Sequence, residues 1–230
     1  MIWFGLFIGF LLLAYYLFRR LESFSTADWG SRKVNCIVGF INLFCRYLHR
    51  FQFDLLPLPD KGSALVASNH ISGLDPFLLI AASPRPLRFL IAREEYERFG
   101  FKWLFRLAKC IPVDREARPE RALREALTAL EQGDVVAVFP HGGIYLDTDP
   151  PRKLKGGVVF LAHKANCTIF PVRVDDVRGA GHTALALFIP SCSSLKTYPP
   201  LDCMGLEHGE CLTRLSSVLD SRSVTESRPK

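Results

Sequence analysis

The sequence predicts an α/β fold: a central, mostly parallel sheet covered by helices and preceded by an N-terminal membrane-associated helical segment. Three observations point there. From Lys61 onward, short continuously apolar runs alternate with helical patterns, as strands buried on both faces do. In "RPERALREALTALEQG" Leu123, Ala126, Leu127 and Leu130 share one helical stripe, and Gly133 follows as a stop. The opening "MIWFGLFIGFLLLAYYLF" carries no charge, and two arginines follow at once.

The seventeen apolar or glycine residues from Ile2 to Phe18 sit at the lower limit for a helix crossing ~30 Å of hydrocarbon. A secretory signal would begin with positive charge and end in a small-residue cleavage site. Here the charge comes after the run, which reads as an uncleaved anchor. The positive-inside rule then turns the rest of the chain toward the cytoplasm. "VNCIVGFINLFCRYLHRF", with Arg46, His49 and Arg50 near its end, reads as a helix lying in the membrane interface. The alternative is a pair of buried helices in a soluble domain.

Expected strands are "SALVAS", "LRFLIA", "CIPV", "VVAVFP", "TIFPVRV" and "ALALFIP". "DPFLLIAAS" starts a helix with Asp75 at the cap and Pro76 at the first helical position. "GLEHGECLTRLSSVL" supplies one last helix. The expected domains are a membrane anchor with interfacial helices over 1–56, an α/β domain over 57–220, and a flexible polar tail over 221–230.

Net charge is +6, and residues 1–53 hold +4 of it, six basic side chains against Glu22 and Asp28. These charges border apolar segments instead of forming a basic run with interleaved aromatics. Membrane lipid is therefore the expected anionic partner, and nucleic acid is not. Seven cysteines form no C-x-x-C pair, and several lie in apolar runs. A disulfide framework is not expected, and a reducing compartment suits the chain.

"SNHISGLDPF" places His70 and Asp75 five residues apart, at the end of an apolar strand, where α/β sheets bind ligands. Gly73 lets the chain fold back tightly. Asp75 as a helix cap and His70 as a loop residue would explain the stretch without chemistry. The same turn also brings a carboxylate to an imidazole Nδ1, leaving Nε2 free to take a proton from a hydroxyl. Ser72 is poorly placed as a nucleophile, two residues from the histidine on a tight turn.

Further pieces follow in order. "NHISGLD" resembles the N-H-x-x-x-x-D motif of the glycerolipid acyltransferases, the family of 1-acylglycerol-3-phosphate acyltransferase. "KCIPVDRE" is similar to that family's second block, and "FPHGG" in part to its third, Phe-Pro-Glu-Gly-Thr-Arg-Ser. "LKGGVVFLAHKANCTIFPVRV" resembles the closing Lys-x-Gly helix and proline-containing strand. "FLIAREEY" resembles the segment between the first two blocks, with a basic residue at Arg93. The similarity runs over about residues 60–175.

The resemblance implies that His70 is the general base, that Asp75 orients it, and that the activated hydroxyl attacks a thioester without an acyl-enzyme. Acyl-CoA or acyl carrier protein would be the co-substrate, with no further cofactor and no metal. It makes Arg115 and Arg93 candidates for holding an acceptor phosphate, with a solvated surface arginine as the alternative for Arg115. Lys155 would help to hold an anionic headgroup, and Gly142 and Gly143 would let backbone approach the ligand. The third block departs from the pattern: His141 stands where the family has Glu, and Ile144 where it has Arg. The departure leaves the acceptor open among lyso-lipids, with His141 as a candidate contact. Two other readings stay in play: a lipid-binding protein on the same scaffold, and a hydrolase that passes the acyl group to water.

Overall fold

The computed structural model describes residues 2–98, 102–114 and 119–220. The chain runs α1 (Ile2–Ser23), α2 (Arg32–Leu48), β1 (Gln52–Phe53), β2 (Ala64–Ser68), α3 (Asp75–Ala82), β3 (Leu87–Ala92), α4 (Arg93–Tyr96) and α5 (Lys102–Leu107). It continues with β4 (Ile111–Val113), α6 (Pro119–Glu131), β5 (Val135–Val138), α7 (Gly157–Ala165), β6 (Ile169–Asp175), α8 (Leu185–Phe188), β7 (Ser194–Thr197) and α9 (His208–Leu219). The strands form one seven-stranded sheet in the order β1-β7-β6-β2-β5-β3-β4, parallel throughout except for the β6–β7 pair.

The continuous apolar strands have the cause the sequence implies: both faces are covered. Ala64 and Val66 of β2 join Val135 and Ala137 of β5 in a core under α2 and α3. Leu65 and Ala67 join Val136 and Val138 in a second core under α6, α7 and α9. Alternation along each strand thus divides apolar residues between two cores instead of between core and water. On α6 the buried face is centred on Ala122, Ala126, Ala129 and Leu130, with Leu123 and Leu127 only half-buried at its flank. The small alanines let the helix lie close to the sheet.

Five of the six expected strands form. "ALALFIP" does not: Leu185–Phe188 is the short helix α8. Both edges of β6 are already paired, with β2 on one side and β7 on the other, so no ladder is open to it. The short strands β1 and β7 escaped the sequence pattern, since β7 (SLKT) shows no apolar run. Cys203 and Cys211 form a disulfide with Cα atoms 5.7 Å apart, a single local bridge that the sequence reading did not anticipate. The other five cysteines are free. Burial pushes the Cys45 thiol up to about 12 and Cys110 to about 11, which makes both inert apolar packing.

The expected spanning anchor is corrected too: among the described residues no helix is long and apolar enough to cross a membrane. Seventeen apolar residues at a 1.5 Å rise reach only about 26 Å, short of the ~30 Å core. α1 nevertheless leaves seven consecutive residues, Leu11 to Leu17, exposed. At 100° per residue they sweep the whole circumference. α2 crosses α1 so closely that a Cβ on Gly39 would lie 1.8 Å from the Leu21 carbonyl oxygen. Its Ile41 and Cys45 enter the sheet core, while Phe40 and Tyr47 stay exposed. The tail 221–230 lies outside the described residues.

Candidate active site

Parallel strands gather their C-terminal ends at one edge of the sheet, and β2 lies at its middle. Ala67 pairs with Val138 of β5, and Ser68 with Val172 of β6. Asn69 extends this junction: its amide donates to the Val174 carbonyl (2.8 Å) and its oxygen accepts from the Val174 N–H (2.7 Å). A side chain here completes the ladder where the backbone leaves it, and so fixes the exit of the chain toward His70.

His70 Nδ1 lies 2.8 Å from Asp75 Oδ2. That oxygen also accepts the backbone N–H groups of Ile71 (2.6 Å) and Ser72 (2.9 Å), and Oδ1 accepts the Ser72 hydroxyl (2.7 Å). Asp75 is fully buried, and these four donors compensate a desolvated carboxylate. An ionised carboxylate can only accept, so Nδ1 donates its N–H to Asp75, and in the neutral ring that tautomer leaves the lone pair on Nε2. Nε2 makes no hydrogen bond within the described residues, and 19% of the His70 side chain is exposed. The Phe139 ring stacks on the imidazole at 4.1 Å and is itself backed by Phe89. Ser72, with its hydroxyl tied to Asp75, is buried.

Two expectations change here. Asp75 does not cap its helix. The cap residue of α3 is Leu74, and the carboxylate turns back to close the loop behind it. Gly73 does not supply a left-handed turn; it is absent from the positive-φ positions. Its role is close approach, since a Cβ would sit 1.9 Å from the Thr183 carbonyl oxygen. Gly73 N donates to the His182 carbonyl, and Gly181 N to that of Ile71. The 179–183 loop therefore supports the dyad from below.

The loop after β5 forms the other wall. Tyr145 N donates to the His70 carbonyl at 2.7 Å. His141 is buried: its Nε2 lies 3.1 Å from Asp220 Oδ1, its ring stacks on Tyr145 at 4.4 Å, and its Nδ1 has no hydrogen-bond partner among the described residues. Burial pulls the His141 pKa below its ordinary value, against the Asp220 carboxylate, which raises it. Gly142 takes a positive φ of 75°. A Cβ there would meet Lys155 Cε at 2.5 Å and Nζ at 2.6 Å, so the lysine stem lies across the bare glycine. Gly143 is half-buried beside it. Arg152 places its Cζ 5.4 Å from the centre of the Tyr145 ring.

Arg93 stands at the end of β3, half exposed, with Nε 3.6 Å from Asp114 Oδ2. Arg115 lies outside the described residues. Sequence reasoning missed Phe139, Tyr145, Asp220 and the buried Arg173. The guanidinium of Arg173 joins Asp147 (2.5 Å), Asp175 (2.9 Å) and the Leu219 carbonyl, tying the β5 loop and β6 to the end of α9. Phe139 alone left a trace, as the aromatic that ends an apolar strand. Among the described residues, no group of three His, Cys, Asp or Glu side chains is set to hold a metal. A cleft of about 470 Å³ lined by Arg88, Arg106, Lys109, Arg121 and Arg124 opens at the opposite ends of β3 and β4, away from the dyad.

The family model described as Acyltransferase matches residues 52–175. N-acylphosphatidylethanolamine synthase of Arabidopsis thaliana is 32% identical over 114 residues, 45% of this chain and 40% of that protein. The 1-acyl-sn-glycerol-3-phosphate acyltransferase of Streptococcus pneumoniae is 28% identical over 126 residues, 54% of this chain and 46% of that protein. A probable 1-acyl-sn-glycerol-3-phosphate acyltransferase of Mycoplasma genitalium is 34% identical over 121 residues, 50% of this chain and 44% of that protein. The chain thus spans less than half the length of these three relatives. The crystal structure of the 1-acyl-sn-glycerophosphate (LPA) acyltransferase PlsC from Thermotoga maritima superposes with a TM-score of 0.64. It covers 98% of this chain and 90% of that one at 19% identity, a likeness of fold.

Proposed function

The chain belongs to the acyltransferase family, and from that premise we propose that it moves a fatty acyl group from a thioester donor to the hydroxyl of a lysophosphatidic-acid-type acceptor. The observation that carries the reading is the His70–Asp75 contact at 2.8 Å, made by a buried, fully satisfied carboxylate. His70 Nε2 takes the hydroxyl proton as the oxygen attacks the thioester carbonyl. The tetrahedral intermediate then expels the thiolate, which recovers that proton from the imidazolium. A thioester is already activated, so the protein supplies a base, positioning and charge stabilisation. General-base catalysis of this kind contributes roughly 10²–10⁴-fold. Acyl-CoA and acyl carrier protein are the two donor classes with this chemistry.

Membrane association belongs to the same proposal. α1 exposes Trp3, Leu6, Phe7, Leu12, Tyr15 and Leu17, an apolar surface that water does not favour and acyl chains do. Arg19 and Arg20 at its end would meet anionic headgroups on the cytoplasmic side.

A second reading makes the amine of phosphatidylethanolamine the acceptor. It is favoured by the resemblance to a protein named N-acylphosphatidylethanolamine synthase, and by His141 and Ile144 replacing Glu and Arg. One experiment separates the readings. Membranes containing the protein or its His70→Ala variant receive labelled acyl-CoA or acyl carrier protein, with lysophosphatidic acid, other lyso-lipids or phosphatidylethanolamine. His70-dependent esterification of lysophosphatidic acid supports the proposal, and an alkali-stable amide product replaces it with the second reading. Folded protein that gives no His70-dependent product leaves a lipid-binding protein.

A further inference from the structure

The third block lacks a cation where the family places one, at Ile144. The same loop between β5 and α7 carries two others farther along, Arg152 and Lys155. Arg152 lies over the Tyr145 ring, which also stacks on the His141 ring and whose backbone N–H donates to the His70 carbonyl. Lys155 lies across Gly142, with its backbone N–H donating to the Pro140 carbonyl at 2.9 Å. Gly142 leaves the space that the ammonium occupies.

Two cations near this end of the sheet are already engaged: Arg173 by Asp147 and Asp175, and Arg93 by Asp114. Neither Arg152 nor Lys155 forms an ion pair within the described residues, and both are exposed. A guanidinium held by its face against an aromatic ring keeps its N–H edge free to fork onto two oxygens. An ammonium beside it supplies a second, point-like charge.

We propose that Arg152 and Lys155 together form the grip for the acceptor's phosphate monoester, with Tyr145 as the platform that fixes Arg152 relative to His70. The assignment rests on the acyltransferase reading and makes Arg152 a determinant of acceptor specificity. It also supplies, from residue 152 of the same loop, the charge that Ile144 lacks: Arg152 lies against Tyr145, and Tyr145 stacks on His141.

The test measures binding apart from turnover. On a His70→Ala background, affinity is measured for lysophosphatidic acid and for a monoacylglycerol with the same acyl chain, both in detergent micelles. Arg152→Ala is expected to weaken lysophosphatidic acid binding roughly ten- to a hundredfold, as for loss of a charge-assisted contact. Monoacylglycerol binding should change less than about threefold, a surface substitution having little other effect. Arg152→Lys should retain part of the preference, and Ile144→Arg placed in the Arg152→Ala protein should restore much of it. Equal loss for both lipids, or no loss for either, overturns the grip. Transfer assays with His70 intact keep the two claims apart. Activity on lysophosphatidic acid with no Arg152 effect overturns the grip alone, whereas phosphate preference without any transfer overturns the enzyme reading alone.

Discussion

Two loops leave adjacent parallel strands at the same edge of the sheet, and they are closed in opposite ways. The loop after β2 closes on itself: Asp75 reaches back five residues to His70, Ile71 and Ser72. The loop after β5 is pinned partly from outside: His141 meets Asp220, 79 residues on, while Gly142 and Tyr145 are covered by Lys155 and Arg152 from the far end of the same loop. Local closure by a buried carboxylate fixes the His70 imidazole from within its own turn; from the neighbouring loop Phe139 then stacks on the ring and the Tyr145 N–H donates to the His70 carbonyl. Closure by side chains from elsewhere allows the contacts to be exchanged while the turn is kept, which suits a specificity wall.

That contrast predicts a hierarchy of effects. Asp75→Ala should be the most damaging, leaving two backbone N–H groups, a hydroxyl and an imidazole without their acceptor. A cost of about 3–5 kcal/mol in chemical unfolding is expected, as for breaking a buried charge network, together with loss of acyl transfer. Gly73→Ala comes next, since its Cβ would collide with backbone at Thr183 and not with a flexible tip. About 1–3 kcal/mol of overpacking is expected, with kcat reduced because the dyad loop must move. A Gly73→Ala protein of unchanged stability would break the claim that the 179–183 loop buttresses the dyad.

Asp220→Ala acts on the other loop and should be milder. About 1 kcal/mol of stability should be lost, with the kinetic change in the acceptor KM more than in kcat. A kcat loss as large as that of a dyad variant would erase the division between the loops. The smallest effect is acid sensitivity. Burial holds His49 and His141 below their ordinary pKa, so the folded protein binds fewer protons than the unfolded chain as pH falls below about 6.5. Stability should fall there and level off once pH is below the folded-state values. His49→Gln should flatten part of the slope in thermal melts recorded between pH 7 and 5.

The same contrast decides what was legible in the sequence. Periodicity exposed the strands and α6 because burial on two faces writes apolar runs directly into the chain. His70 and Asp75 were legible because their partnership is local. Its physical detail was not: Asp75 looks like a cap by position, and only the fold shows its oxygens turned toward the loop. Gly73 likewise reads as a turn residue until Thr183 is seen against it. Asp220 and Arg173 left no mark, since nothing in a stretch of sequence records that His141 will face Asp220, 79 positions away, or that Arg173 will face Asp147, 26 positions away. The segment at 184–190 misled for a related reason. Its apolar run suits a strand, but β7 had already taken the free edge of β6.

The central claim is that His70 does the chemistry while the β5 loop holds the headgroup. The most direct measurement is single-turnover acyl transfer to saturating lysophosphatidic acid by the His70→Ala protein and by the wild type, at matched thermal stability. The account predicts a rate lower by at least about 100-fold in the variant, the contribution of a general base. A variant that transfers at the wild-type rate would contradict it.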